Sequence, residues 1–388
     1  MKYYSVKIND KGNIAVDDML LVKGYEAKAG SRILEGFKPL FSAEAVTRLE
    51  EKGYVISGKA HVGEFSLDLA GEFSHYAEKG DVASAAALVK KGEVKAALGV
   101  DMNGSPRRAA SLQDTLFIKP TYGTVSRYGV ISTAASGEQV GVYASSAKDV
   151  REVLSVISGH DEKDGTSLRE EKYDYSKLDV KGKRVAIVKE LFERADDGVK
   201  AKINAFADSL REKGVEVEEI SLDIFDTANT AYTILSSAET CNNLSRYDGV
   251  KYGYRTKEYK NIDELYSRSR SEGFNLLTKT VILYGSDVLS KNRYKDCYDK
   301  SLRIRRVIAD KIKEVFGSYD ALLTPVTSAS EFGEYAVNDA FERVAEESVF
   351  TSLANLIGCP ALVVSGVQLI GAHFNEKTLL SLAERKGE

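Results

Sequence analysis

Short apolar runs bounded by turn residues alternate along this chain with stretches in which apolar residues recur at helical spacing. Gly12-Asn-Ile-Ala-Val16, followed by Asp17-Asp18, reads as a strand, as do residues 54–57, 97–100, 185–188, 215–220, 321–324, 361–365 and 367–370. Residues 43–52 place Val46 and Leu49 on one helical face, and Gly53 ends that helix. The same spacing predicts helices over 82–91, 147–158, 199–213, 230–247, 274–289, 294–316 and 375–385, with a loop carrying Gly24, Gly30 and Gly36. Strands that alternate with helices predict an α/β fold, a mixed central sheet covered by helices on both faces. Neither an internal repeat nor a low-complexity linker interrupts the pattern. One domain over 1–388 is therefore expected, with a mostly helical insertion around 226–316.

Composition narrows the class of protein. An apolar share of 43% and a charged share of 29% suit a folded globular chain and exclude a disordered one. No apolar run approaches the length of a transmembrane helix, and MKYYSVKIND lacks the apolar core of a signal peptide, so a cytoplasmic protein without a membrane partner is expected. Cys241, Cys297 and Cys359 are scattered, which fits reduced thiols rather than a disulfide framework. His61, His75, His160 and His373 have no metal-ligand spacing, and neither a metal nor a cofactor is expected. A net charge of −4, with basic residues interspersed among acidic ones, argues against direct nucleic-acid binding.

The chemistry concentrates in residues 97–129. An apolar run ends at Val100, and the turn Asp101-Met-Asn-Gly-Ser105 follows. A serine on a glycine-containing turn after a strand is the layout of an activated nucleophile, because backbone N–H groups around it can hold an oxyanion. By spacing alone most such turns are only turns. Lys119-Pro-Thr-Tyr-Gly123, Val125-Ser-Arg-Tyr-Gly129 and Ser136-Gly-Glu-Gln-Val-Gly141 come next. Together with Gly99, Asp101, Gly104, Ser105 and Arg107, these offsets resemble the amidase-signature family, whose serine follows G-S-D-T-G-G and precedes K-P-T-x-G-R-V-S-R-x-G. Residues 238–253 and 266–274 resemble one branch of it, the A subunits of glutamyl-tRNA(Gln) amidotransferase. That resemblance implies release of ammonia from glutamine, for a tRNA-bound glutamyl group held by a B subunit with a small C subunit beside it. The partners it implies are B- and C-type subunits; a self-association partner is the other expectation.

The same resemblance exposes departures. The family uses Ser–cis-Ser–Lys, in which the lysine takes the nucleophile's proton through the bridging serine. Ile14-Ala-Val-Asp-Asp18 stands against I-A-I-K-D, which sets Asp17 at the lysine position. Lys79-Gly-Asp-Val-Ala-Ser84 stands against G-G-S-S-G-G after a shortened loop, with Asp81 at the bridging serine and Ser84 the serine that a shift would bring in. Asp81 alternatively reads as an N-cap for the helix from Val82. Two carboxylates beside Ser105 would repel an oxyanion, and Pro106 offers no N–H. Tyr232 matches a glutamine-contacting tyrosine, and Asp101, Asn103 and Gly104 on the turn join it as substrate-contact candidates. Val281 and Ser348 stand where the family has an arginine and an aspartate. The expected function is thus a pseudo-amidase, a scaffold or subunit that has lost amide hydrolysis. Two alternatives stay open: an active amidase in which a carboxylate such as Asp17 deprotonates Ser105, and a small-molecule or cation binder built on Asp17, Asp81 and Asp101. On the structural side, Ser105 reads as a turn serine whose hydroxyl caps the next segment, Lys119 and Arg127 as framework residues, and Tyr232 as a packed helix face.

Overall fold

The structure is a computed structural model that describes residues 2–78, 83–169 and 173–384. Among these residues the strands are β1 (Tyr4–Lys7), β2 (Ile14–Asp17), β3 (Ile56–Ala60), β4 (Ala96–Asp101), β5 (Leu116–Lys119) and β6 (Gln139–Ala144), then β7 (Arg184–Val188), β8 (Glu216–Ile220), β9 (Ala321–Pro325), β10 (Ala361–Val364) and β11 (Val367–Gly371). They form one sheet in the order β1-β3-β2-β4-β6-β5-β10-β11-β9-β7-β8. β2 runs parallel to β3 and β4, and β7 runs parallel to β8 and β9. The other pairs are antiparallel.

All six residues of β4 are buried between β2 and β6. A strand covered on both faces needs no polar alternation, which is why this segment is a continuous apolar run. The strand period of two still divides its contacts. Ala97 packs with Leu88, Ala109 and Ala110 from the helices Ser84–Lys90 and Ser105–Leu112. Leu98 and Val100 belong to the cluster on the opposite face, with Val46, Leu49, Val150 and Leu154 from Glu44–Glu51 and Ala147–Ile157.

Three strands, β1, β5 and β6, are not among those expected from the sequence, although β5 contains the apolar run Leu116-Phe-Ile118. The strand read over 54–57 lies two residues later, at Ile56–Ala60, and runs through Gly58. Glycine ordinarily weakens a strand. Here it is required, because a Cβ on Gly58 would sit 2.6 Å from the Val6 carbonyl oxygen of β1. After β8 come the helices Phe225–Leu244, Leu276–Val288 and Lys300–Val315, near the spans expected at 230–247, 274–289 and 294–316, and a further helix, Ile262–Gly273, that was not among those expected. Among the described residues no helix is long and apolar enough to cross a membrane.

Candidate active site

Parallel pairing of β2 with β4, with Val16 opposite Leu98, brings the carboxyl ends of both strands to one edge of the sheet. That edge is where open α/β sheets place ligand sites. β4 ends at Asp101, and a three-residue turn leads into the helix Ser105–Leu112. Gly104 takes a φ of +94°, and a Cβ there would collide with the Thr351 side chain. Pro106 fits the first turn of the helix, where N–H groups have no intrahelical acceptor. Gly104 is the N-cap and has no side-chain cap bond, while Ser105 is the first helical residue. The expected capping role of the Ser105 hydroxyl is therefore corrected: a helical residue is not placed to cap its own helix. Gly104→Ala is expected to cost about 1–3 kcal/mol through backbone strain and that contact. Urea unfolding checks this, and a loss below about 0.5 kcal/mol would mean that the turn relaxes freely.

Asp101 anchors this turn. Its Oδ2 accepts from Arg107 Nε at 2.7 Å, and its Oδ1 from Arg107 Nη2 at 3.1 Å, Asn355 Nδ2 at 2.9 Å and the Gly104 N–H at 3.0 Å. Burial pushes the Asp101 carboxyl up, but the Arg107 charge and the bonds from Arg107 and Asn355 prevail and hold it below the usual value. Arg107, fully buried, also donates to the Thr351 carbonyl, to Gln368 Oε1 and to Asn355 Oδ1. Asn103 Oδ1 accepts from the Ser105 N–H at 3.3 Å and from Arg108 Nη2 at 3.2 Å, and its Nδ2 donates to the Leu67 carbonyl. The amides of Gly104 and Ser105, which an oxyanion would need, are thus engaged by the turn's own side chains.

Ser105 lines a cavity of about 20 Å³ together with Asp17, His61, Ser84 and Tyr143. That is room for about one water. Asp17 is buried at the end of β2, and its Oδ2 accepts from the Val100 N–H at 3.1 Å. Gly99 permits this approach, since a Cβ there would lie 3.1 Å from Asp17 Oδ2 and 2.7 Å from the Tyr143 ring. Burial raises the Asp17 carboxyl to about 8; the Val100 N–H draws it down and the neighbouring Asp18 pushes it up. Near neutral pH it is chiefly protonated. The charge inversion expected at position 17 is therefore largely muted, a consequence of depth that spacing does not reveal. The lysine on the adjacent strand, Lys59, is committed elsewhere, to Asp18 at 2.8 Å and to the Glu26 carbonyl at 2.9 Å.

Asp81 lies outside the described residues. The helix after it begins at Ser84, with Ala83 as N-cap at a φ of +55°. Ser84 does reach the Ser105 cavity. His61 and Tyr143 reach it too, and no motif marked either; the pairing of Ala97 with Tyr143 across β4 and β6 sets the latter there. Asp101 is absent from this lining and is paired with Arg107, so Asp17 and Asp101 do not combine as ligands. Among the described residues no group of three or more His, Cys, Asp or Glu is arranged to hold a metal ion.

A second cavity, of about 50 Å³, gathers Asn103, Tyr232, Val281 and Ser348 from distant parts of the chain. The Tyr232 hydroxyl donates to the Met102 carbonyl, and its ring occupies the space a side chain on Gly137 would take. Tyr232 is thus more than a packed helix face. Among the described residues no charged side chain lines this cavity, and none lines both cavities. Asp101 and Gly104 line neither; they build the turn. Lys119 and Arg127 are framework residues. Lys119 is buried, which draws its ammonium down to about 8, and donates to the Pro120 carbonyl; Arg127 bonds Glu138 and Thr166.

The sequence profile of the amidase family, described as "Amidase", matches residues 13–82 and 83–380. The chain belongs to the amidase family. It is 37% identical over 397 residues to the glutamyl-tRNA(Gln) amidotransferase A subunit of Agathobacter rectalis, covering 95% of this chain and 78% of that protein. To the A subunit of Lachnoclostridium phytofermentans it is 36% identical over 404 residues, covering 95% and 81%. The crystal structure of the Thermotoga maritima A subunit matches with a TM-score of 0.81 at 29% identity, over 98% of this chain and 86% of that one. A 6-aminohexanoate cyclic dimer hydrolase matches with a TM-score of 0.78 at 19% identity, over 95% and 83%, and shares the fold alone. The resemblance in residues 97–141 and 238–274 is borne out at the level of family and branch, as is the α/β fold with its mixed sheet between helices. In this amidase-family chain the serine turn sits where the fold expects it, at the carboxyl end of a central strand.

Proposed function

We propose that this amidase-family chain has lost amide hydrolysis and serves as a scaffold or subunit in an assembly of the amidotransferase type, with B- and C-type subunits as the partner class. One observation carries this. Ser105 and the residues at the family's substrate positions face separate small cavities. Hydrolysis needs the nucleophile, its base and the bound amide in one geometry. The uncharged lining around Val281 and Ser348 would leave the ammonium and carboxylate of a glutamine without counter-charges. A protonated Asp17 takes no proton from Ser105, and above about 8 its carboxylate would oppose an oxyanion. That the relatives are named as subunits supports the assembly role.

The test is ammonia release from glutamine by the purified chain, alone and with B- and C-type subunits. None above the protein-free rate is expected. Nor is any expected after Asp17→Lys with Asp81→Ser, since the pocket around Val281 stays uncharged. Turnover that disappears in Ser105→Ala would overturn the proposal. The competing proposal, Asp17 as the base, draws on its place in one cavity with Ser84 and Ser105 and on a carboxyl poised near working pH. It requires turnover that climbs with pH through about 8 and vanishes in Asp17→Asn.

A further inference from the structure

A cleft of about 850 Å³, far larger than the two cavities above, opens at the far end of the Ser105–Leu112 helix. It lies between the loop after β3 and residues 331–337, and among the described residues it shares no lining residue with either small cavity. Small-molecule sites fall at about 300–1,000 Å³ with apolar walls and a few convergent polar groups. Phe73 and Tyr335 form one wall, edge to face with ring centroids 5.2 Å apart, and Phe332 stands beside them.

Among the described lining residues carboxylates outnumber cations: five carboxylates, of which Glu334 is engaged, stand against one guanidinium and one imidazole. Glu64 is engaged by Ser31, Thr278 and the Asn275 N–H, and Glu272 by Tyr254 and Thr256. Glu331 has no cationic partner among the described residues, while Glu72 accepts from the Ala70 N–H and lies near the Tyr335 hydroxyl and within the attraction of the Arg108 charge. Neither lining cation pairs with Glu331. Arg32 lies 4.0 Å over the Tyr254 ring and 3.8 Å from Glu35, and burial, with Arg32 nearby, lowers His75 so that it is neutral near pH 7.

We propose that this cleft binds a small organic cation, an ammonium on an aromatic or branched apolar body, with Glu72 and Glu331 meeting the charge and Phe73, Phe332 and Tyr335 the body. Aromatic faces attract a cation directly, and the apolar stem gains by leaving water. Burial pushes Glu72 up, and burial with the Glu72 charge raises Asp68 to about 7, so an ammonium beside Glu72 would relieve both. The proposal is independent of the fate of Ser105.

The experiment is calorimetric titration and thermal unfolding of the full chain with 2-phenylethylamine, beside 2-phenylethanol and 3-phenylpropanoate at equal ionic strength. Only the amine is expected to bind and to raise the unfolding temperature. Glu72→Gln and Phe332→Ala are each expected to weaken it about tenfold. Glu331→Gln, at an exposed position, tests the charge without disturbing the fold, and the unliganded unfolding temperature of each variant verifies folding. Absence of amine binding, equal binding of the alcohol, or unchanged affinity in both glutamate variants would overturn the proposal.

Discussion

Arg107→Leu is expected to destabilise the fold by about 3–5 kcal/mol, the range for breaking one side of a buried ion pair. The cost arises from what is left behind rather than from the lost attraction. Asp101 would remain buried and ionised without its counter-charge, and the acceptors on Thr351, Gln368 and Asn355 would lose their donor. The exposed i,i+4 pair of Arg303 and Asp299 offers the contrast, since exposed helical pairs contribute only about 0.3–0.5 kcal/mol. Urea unfolding of Arg107→Leu, Asp101→Asn and the double variant would measure this. The double variant should lose much less than the sum, because removing both partners leaves no orphan charge. A loss under about 1 kcal/mol for Arg107→Leu would show that the turn does not depend on the pair.

Asp17→Asn is expected to become progressively more stable than the parent as pH rises. In the unfolded chain Asp17 ionises near its ordinary value of 3.8; in the fold it holds its proton to about 8. Its contribution to stability is fully present below the lower value. It is lost as pH climbs through the window between the two, at up to about 1.4 kcal/mol per pH unit. Above the folded value both states are ionised and the difference levels off. Asparagine never ionises, and its carbonyl can still accept from the Val100 N–H. Taking the difference between the two proteins cancels the other buried carboxyls that burial raises, Glu64 and Asp68 among them. Unfolding free energies at pH 5, 6.5, 8 and 9 give the curve. A difference that stays flat over this range would mean that Asp17 ionises freely in the fold, and the account of its depth would be wrong.

What the sequence determined by itself is what short-range spacing can encode. A strand entering a turn, the glycine that takes a positive φ at Gly104, and the proline that opens a helix all act within a few residues. The match from Gly99 to Gly141 identified the family for the same reason, because turn and motif are local. Three helices after β8 were legible because apolar spacing marks their buried faces, whereas Ile262–Gly273, with only Leu265, Ser269 and Gly273 buried, was not. Only the tertiary structure decided the rest. β1, β5 and β6 are strands because neighbours on the sheet satisfy their backbones, and Gly58 sits within β3 because β1 passes too close for a side chain. Asp17 keeps its proton because its strand is enclosed by β3 and β4, a depth that no local pattern contains. Tyr232, Val281 and Ser348 meet at one cavity across long stretches of chain, while Ser105 faces another. Whether a serine and a pocket belong to the same site depends on distance and desolvation in the packed fold, and spacing along the chain carries neither.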